Sequence, residues 1–238
     1  ASIDLQLPEA YVQRRATPVD EARDDGKYWT DERVAMAGRY QHHVYAWARA
    51  ILEARGGGSV VDVGCGPGVK LEKHLRGVAT KLAGVDQVSS GALCRAHAPS
   101  VAFRGHDLER PMAAWEQFDL VICADVLEHL ADPRPAAKFI RECAGRNGLV
   151  LLSTPDRDRL RGRGAMQCFK PDHVREWTAS EFRRFARAAG LRTLRRRFFP
   201  QDDAPMVEGM EQELAWRAGE AETSPWACCT LLCEVGVA

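Results

Sequence analysis

The residues best suited to bind a ligand lie where a short apolar run stops at a cluster of glycines. Residues 60–63 read Val-Val-Asp-Val, and Gly64–Gly68 reads Gly-Cys-Gly-Pro-Gly. Leu71 and Leu75 then follow at helical spacing. This order is typical of a strand, a tight turn and a helix, and glycine lets a ligand approach the backbone closely. The pattern predicts a ligand-binding turn, with a plain structural turn as the alternative.

Three carboxylates accompany three successive apolar runs. Asp62 lies inside the first run, Asp86 ends the run at residues 82–86, and Asp107 follows the run at residues 101–103. In a parallel sheet these strand ends share one edge. Asp86 is then placed to accept hydrogen bonds from two ribose hydroxyls, and Asp107 from an adenine amine. The set favours an adenosine-containing ligand, although each aspartate alone also suits a turn.

The glycine spacing distinguishes between nucleoside ligands. The dinucleotide fingerprint is G-x-G-x-x-G, whereas this turn reads G-x-G-x-G. Pro67 also removes a backbone N–H that a phosphate could use. No G-x-x-x-x-G-K-[ST] loop is present. These features disfavour a nicotinamide-dependent oxidoreductase and a nucleoside triphosphatase.

The composition bounds the class of protein. A chain of 238 residues with 45% hydrophobic content can form one large α/β domain. Its formal net charge of zero gives no general attraction for nucleic acid or a membrane surface. No apolar stretch approaches the ~20 residues of a membrane span, and the first residues lack a signal pattern. We expect no nucleic-acid partner, no membrane span and a cytoplasmic location.

The cysteines give no sign of a metal site. There are eight, and none forms a C-x-x-C pair. Several lie in apolar runs, so they are expected to be small buried side chains with free thiols. The sequence therefore predicts no metal ligands.

Apolar runs and helical patterns alternate along the chain. Helices are predicted at residues 30–55, 69–76, 90–98, 136–143, 178–189 and 206–218. Strands are predicted at residues 60–63, 82–86, 101–103, 118–124, 148–153, 191–199 and 226–237. Continuous apolar strands with helical connections indicate a parallel sheet covered on both faces. Tyr28 and Trp29 suggest that the charged first 30 residues dock over a site, a flexible leader being the alternative.

Four of these stretches, taken in order, resemble the motifs of class I S-adenosylmethionine-dependent methyltransferases. They are Val60–Gly68, Gly84–Asp86, His106–Leu108 and Phe118–Leu130. The similarity covers roughly residues 56–155 and is greatest to the group containing the ubiquinone and menaquinone biosynthesis methyltransferases. It implies a Rossmann-like, doubly wound α/β fold with a seven-stranded, mostly parallel sheet and an antiparallel last strand. Residues 1–55 would form an N-terminal helical cap, and residues 56–238 the cofactor-binding domain.

The resemblance also implies the cofactor, S-adenosylmethionine, with S-adenosylhomocysteine as product. Asp62, Gly64 and Gly66 would bind its methionine end, and Asp86 its ribose. The adenine would lie against residues 107–108, and the methyl-transfer site against residues 124–125. In all, we expect cofactor contacts from Asp62, Gly64, Cys65, Gly66, Gly68, Asp86, Gln87, Asp107, Leu108 and Ala124.

The acceptor is less well defined. The sulfonium methyl group is already electrophilic, so the protein mainly has to align a nucleophile, and a hydroxyl acceptor gains from a base. His129 and His173 are the candidate bases and Glu128 could orient either of them, although His129 could instead shape its turn and Glu128 cap a helix.

The basic connection at residues 154–177 suggests an anionic acceptor, with a solvated loop as the alternative. We expect O-methylation of a small molecule in a natural-product or glycan pathway, by a monomer or homodimer. N- or C-methylation, a non-catalytic cofactor-binding protein and an oxidoreductase are the alternatives.

Overall fold

The computed structural model describes residues 3–14, 28–202, 206–207 and 209–236. Its strands are β1 Ser59–Val63, β2 Lys81–Asp86, β3 Val101–Gly105, β4 Leu120–Ala124, β5 Leu149–Pro155, β6 Leu191–Phe199 and β7 Cys228–Val235. They form one seven-stranded sheet in the order β3-β2-β1-β4-β5-β7-β6. The pairs among β1 to β5 are parallel, and β7 runs antiparallel to both β5 and β6. The expected mostly parallel sheet with an antiparallel last strand is confirmed.

Helices cover both faces of this sheet. They are α1 Asp31–Met36, α2 His42–Arg55, α3 Val69–Leu75, α4 Gly91–His97, α5 Arg134–Ala144, α6 Arg157–Arg161, α7 Ala179–Ala188 and α8 Met210–Ala218. Helices α2, α3 and α4 pack on one face through side chains such as Leu52 and Leu71. Helices α5 and α7 pack on the other through Phe139 and Phe182. None of the helices described is long and apolar enough to cross a membrane.

The helix predicted over residues 30–55 is two helices. The chain turns between α1 and α2, where Gln41 adopts a left-handed φ of 59°. Its buried side-chain oxygen accepts hydrogen bonds from the Ser153 hydroxyl and the Cys228 thiol. These partners lie on β5 and β7, so contacts made only in the folded protein hold Gln41 where the chain turns.

The expected N-terminal cap is only partly helical. Residues 3–14 contain a turn and no helix, and Val12 forms a bridge with Gln167. Helix α2 belongs to the layer that covers the sheet, because Val44 and Trp47 are buried against it. The division into a cap and a domain at residue 55 stays a prediction.

Two further boundaries differ at the C-terminal end. The helix expected from residue 206 begins at Met210, directly after Gly209, which has a φ of 72°. The last strand expected at residues 226–237 is Cys228–Val235, and residue 237 lies outside the described residues. All eight cysteines are free and buried, as expected.

Candidate functional site

A cavity of about 1140 Å³ opens where β1, β2 and β4 end. This is the edge at which doubly wound sheets bind ligands. Ligand cavities usually measure about 300–1,000 Å³. The cavity is therefore large enough for a cofactor and an acceptor together.

The glycine turn forms one wall of this cavity. Gly64 and Gly66 have φ values of 89° and 53°, which favour glycine. A Cβ atom on Gly64 would lie 2.2 Å from Val126, and one on Gly66 would lie 2.4 Å from the Trp29 indole. Cys65 lines the same wall. Only glycine fits at these two positions, so a ligand in the cavity would contact the backbone directly.

Asp86 fixes the turn to the end of β2. Its Oδ2 accepts a hydrogen bond of 2.7 Å from the Gly66 N–H. Its Oδ1 accepts from the Gln87 N–H at 2.7 Å and from the Ser90 hydroxyl at 3.0 Å. Asp86 and Gln87 both line the cavity. The expected ribose acceptor is thus pre-positioned by three donors, and its ribose contact stays a prediction.

Asp62 and Gly68 lie behind the cavity wall. Asp62 pairs with Gly84 inside the sheet, and its Oδ2 accepts a 2.7 Å hydrogen bond from the Tyr45 hydroxyl. Its buried Oδ1 has no hydrogen-bond partner. Burial raises the pKa of this carboxyl to about 7 despite the Tyr45 hydrogen bond. Gly68 instead faces α4, where a Cβ atom would lie 2.7 Å from Ala98.

The residues expected to contact adenine and the methyl group also reach the cavity. Asp107 and Leu108, expected at the adenine, and Ala124, expected at the methyl-transfer site, all line it. The exposed Asp107 carboxylate also accepts from the Glu109 N–H at 3.0 Å and from Arg110 Nε at 3.2 Å. The structure therefore brings most of the expected cofactor residues to one cavity.

A segment from the N-terminal part of the chain covers the cavity. Tyr28, Trp29 and α1 contribute to its lining, and the Arg33 guanidinium lies 4.3 Å from the centre of the Tyr28 ring. Arg33 also pairs with Asp172 at 3.6 Å. The docking expected from Tyr28 and Trp29 fits this arrangement for residues 28–36, whereas residues 15–27 lie outside the described residues.

Asp125 and Glu128 follow β4, and each of these carboxyl groups affects the pKa of the other. Burial opposes ionisation of Asp125, but the electrostatic influence of Lys170 and of the neighbouring His129 and His173 prevails and holds its pKa well below its usual range. Burial and the Asp125 charge raise the pKa of Glu128 well above its usual range. One carboxylate and one carboxylic acid therefore lie side by side.

Two histidines with oriented rings complete this group. His129 Nδ1 lies 2.7 Å from the Asp172 carbonyl oxygen, which can only accept, so Nδ1 carries the hydrogen. His173 Nδ1 lies 3.0 Å from Glu176. Burial opposes ionisation of Glu176, but hydrogen bonds from His173 and Arg161 lower its pKa to about 2. Each ring is therefore held by its Nδ1 hydrogen, which leaves Nε2 as the basic atom.

These four side chains could hold a metal ion. Asp125, Glu128, His129 and His173 each offer a ligand atom, and these atoms all lie within 4.8 Å of one another. Both Glu128 oxygens and the His173 Nε2 are buried without a hydrogen-bond partner. Paired carboxylates and imidazoles oriented through Nδ1 are the usual surroundings of a divalent cation. The sequence expectation of no metal ligands overlooked this grouping, whose local signal is Asp-x-x-Glu-His at residues 125–129.

The expected catalytic residues do not all reach the cavity. His129 lines it, together with Asp125. His173 is 1% exposed and Glu128 is fully buried, and neither is among the residues that line the cavity. Neither can take a proton directly from an acceptor in this arrangement, because both lie behind the wall. Any part that His173 and Glu128 took in a reaction would therefore act through His129, Asp125 or a shared ion.

Three arginines of the 154–177 connection are buried and paired within the protein. Arg157 and Arg159 are buried and pair with Glu181 and Glu213. Arg175 is buried and donates to the backbone carbonyls of residues 127, 130 and 131. These side chains hold the connection against the domain, so both the anion-binding and the solvated-loop interpretations are wrong for them.

Two lysines lie on the cavity wall, of which Lys170 belongs to the basic connection and Lys70 is not among the residues expected from the sequence. Lys70 is the second residue of α3, and burial lowers its pKa. Lys170 lies near the Asp125 carboxylate and lowers the pKa of that group. A lysine in a helical pattern usually lies in solvent, so the sequence pattern gives no reason to choose Lys70.

Comparisons with known proteins agree with this geometry. A model of a family described as a methyltransferase domain matches residues 40–195. The ubiquinone biosynthesis O-methyltransferase of Methylobacterium sp. strain 4-46 is 35% identical over 113 residues, which is 44% of each chain. That of Thiobacillus denitrificans is 30% identical over 182 residues, or 69% of each chain.

A solved structure shares the fold. It is the Burkholderia thailandensis 1,6-didemethyltoxoflavin-N1-methyltransferase with bound 1,6-didemethyltoxoflavin and S-adenosylhomocysteine. Its TM-score is 0.62 at 17% identity, and the match covers all of this chain and 95% of the other. At that identity the likeness concerns the fold alone.

Proposed function

This chain belongs to the methyltransferase domain family, and we propose that it transfers the methyl group of S-adenosylmethionine to a hydroxyl oxygen of a small molecule. The curated relatives described above are named O-methyltransferases. The observation that carries the oxygen assignment is the group Asp125, Glu128, His129 and His173 beside the cavity. A hydroxyl is a poor nucleophile until its proton is weakened or removed, whereas an amine needs less help.

The cofactor would lie along the glycine turn. Gly64 and Gly66 would receive its amino-acid end, Asp86 its ribose and Asp107 its adenine. When bound, it supplies an electrophilic methyl group, so the protein's task is to align the acceptor oxygen and exclude water. Trp29 and α1 cover the cavity and would help to exclude water.

The four-residue group would hold a divalent cation such as Mn²⁺ or Zn²⁺. The cation would lower the pKa of an acceptor hydroxyl and orient it toward the methyl group. Glu128 would lose its proton on metal binding, since the ion would replace the proton that burial and the Asp125 charge otherwise keep on it. Glu176 and the Asp172 carbonyl hold the two imidazoles in the required orientation.

The decisive experiment measures methyl transfer from labelled S-adenosylmethionine to a panel of hydroxylated small molecules, with and without a chelator. We expect the chelator to abolish turnover and added Mn²⁺ or Zn²⁺ to restore it. His129→Ala should lower kcat by about 10²–10³-fold and reduce the bound metal while leaving cofactor affinity intact. His97→Ala, an exposed change on α4, is the matched control.

Other outcomes would identify the alternatives. Turnover that survives chelation but is lost in His129→Ala, with a changed pH profile, would make His129 a general base without a metal. Turnover unaffected by either change would favour an amine or carbon acceptor. Cofactor binding with no transfer to any compound would favour a non-catalytic protein. A natural-product or glycan pathway, an anionic acceptor and a monomeric or dimeric state stay predictions.

A further inference from the structure

Lys70 is a cation on the cavity wall that forms no ion pair with any of the residues the structure describes. It lies two positions after Gly68, half-buried, and lines the cavity next to the glycine turn. Its Nζ lies 5.2 Å from the centre of the Tyr45 ring. Among the described residues no carboxylate forms an ion pair with it, although Asp62 and Asp125 act on it from a longer distance. A half-buried ammonium group that faces a cavity is best stabilised by an anion within that cavity.

We propose that Lys70 binds the α-carboxylate of the methionine moiety of the cofactor. This assignment rests on the proposed function, because it requires S-adenosylmethionine in the cavity. The moiety carries one carboxylate and one ammonium group at the same carbon. Lys70 lies on the same cavity as Gly64 and Gly66 and presents the positive charge that the carboxylate requires. The glycine turn beside Lys70 lacks the Pro67 N–H, so a side-chain cation supplements the remaining backbone donors.

An anionic group on the acceptor would offer Lys70 the same chemistry. The positions of the two cavity lysines favour the cofactor. Lys70 follows the turn at the end of β1, whereas Lys170 lies near Asp125, at the metal-ligand group. Lys170 is therefore the better placed cation for the acceptor, and Lys70 for the amino-acid end of the cofactor.

The test compares two ligands that differ only in the carboxylate. These are S-adenosylhomocysteine and its decarboxylated analogue, 5′-(3-aminopropylthio)adenosine, titrated into the full chain by calorimetry. Lys70→Met keeps the apolar stem and removes the charge. We expect it to weaken S-adenosylhomocysteine binding by about 10- to 100-fold, which is the usual value of a charged hydrogen bond, and to leave the analogue's affinity unchanged. Lys73→Met, exposed on the same helix, is the matched control and should change neither affinity.

Three results would overturn the assignment. An equal loss for both ligands would make Lys70 a structural residue of the wall. If the affinity for both ligands were unchanged and the KM for the acceptor rose, Lys70 would bind the acceptor and not the cofactor. Unchanged affinity with a lowered kcat and a shifted pH profile would make Lys70 a catalytic base. If the unaltered protein bound neither ligand, the proposed function itself would be wrong, a result distinct from these three.

Discussion

At the scale of single residues, the buried Asp62 makes folding depend on pH. Its Oδ2 accepts from Tyr45, its Oδ1 has no partner, and burial raises its pKa from 3.8 to about 7. The folded protein therefore holds this proton more tightly than the unfolded chain. The resulting stability is fully present below about pH 4 and is lost as the pH rises through about 7. The linkage amounts to about 4 kcal/mol at most.

Asp62→Asn should remove this dependence, because the amide keeps an acceptor for Tyr45 and carries no charge. We expect the variant's free energy of unfolding to increase relative to that of the unaltered protein as the pH rises from about 4.5 to about 8. Urea unfolding without ligand measures both. Asp31→Asn, exposed on α1, should follow the unaltered protein at every pH. If the free energies of unfolding of Asp62→Asn and the unaltered protein changed in parallel with pH, the pKa of Asp62 would be the same in the folded and unfolded states.

At the scale of elements, the short helix α6 ties together parts of the chain that are distant in sequence. Arg157 donates to the Glu176 carbonyl and to Glu181 on α7, each at 2.7 Å. Arg159 pairs with Glu213 on α8 at 2.6 Å. Both guanidinium groups are buried. Removing one partner of a buried pair leaves the other charge uncompensated.

Arg157→Ala should therefore destabilise the protein by about 3–5 kcal/mol. Urea unfolding followed by circular dichroism measures this directly. Arg184→Ala, exposed on α7, is the matched control and should lie within about 0.5 kcal/mol of the unaltered protein. If Arg157→Ala lowered the free energy of unfolding by less than about 1 kcal/mol, water would be solvating the Glu181 carboxylate in place of Arg157. The pair would then not be what holds α6 against α7.

Local patterns account for what could be predicted from the sequence at this scale. The buried strands β1, β2, β4 and β5 are short, continuous apolar runs, so their positions follow from neighbouring residues alone. Gly64 and Gly66 were identified because the strand before them must turn. Asp86 and Asp107 were identified because parallel strands end at a common edge.

The features that escaped prediction depend on partners far along the chain. The turn at Gln41 involves Ser153 and Cys228, more than 100 residues away. The burial of Arg159 depends on Glu213 in the same way. Asp125, Glu128 and His129 are close in sequence, but His173 joins them only in the folded protein. A pattern of residues cannot reveal such partners, because side-chain charge alone predicts a solvated surface.

At the scale of the whole molecule, the N-terminal segment stabilises the connection that carries His173. The Tyr11 hydroxyl accepts from the Glu176 N–H at 2.9 Å, and Gln13 accepts from Arg175 at 2.8 Å. The Leu5 carbonyl accepts from the Trp177 indole at 2.8 Å. Glu176 in turn orients His173. The first residues described therefore support the group that contains His129 and His173 without lining the cavity.

The cavity is lined by residues that are spread along the chain from Tyr28 to Val174, so a ligand bound there should stabilise the folded protein. A ligand at 100 times its Kd adds about 2.7 kcal/mol to the free energy of unfolding. In a domain of this size, that raises Tm by about 5–10 °C. We expect S-adenosylhomocysteine to produce this shift in a thermal unfolding experiment, and NAD to produce none, because the turn lacks the dinucleotide spacing.

Asp86→Ala should lose most of the shift at the same ligand concentration, since it removes the expected ribose acceptor. Its own lower Tm does not confuse the result, because only the difference made by the ligand is compared. Arg76→Ala, exposed after α3, is the control and should keep the full shift. A larger shift with NAD than with S-adenosylhomocysteine would instead show that the G-x-G-x-G turn tolerates a pyrophosphate, and would return the chain to the oxidoreductase alternative.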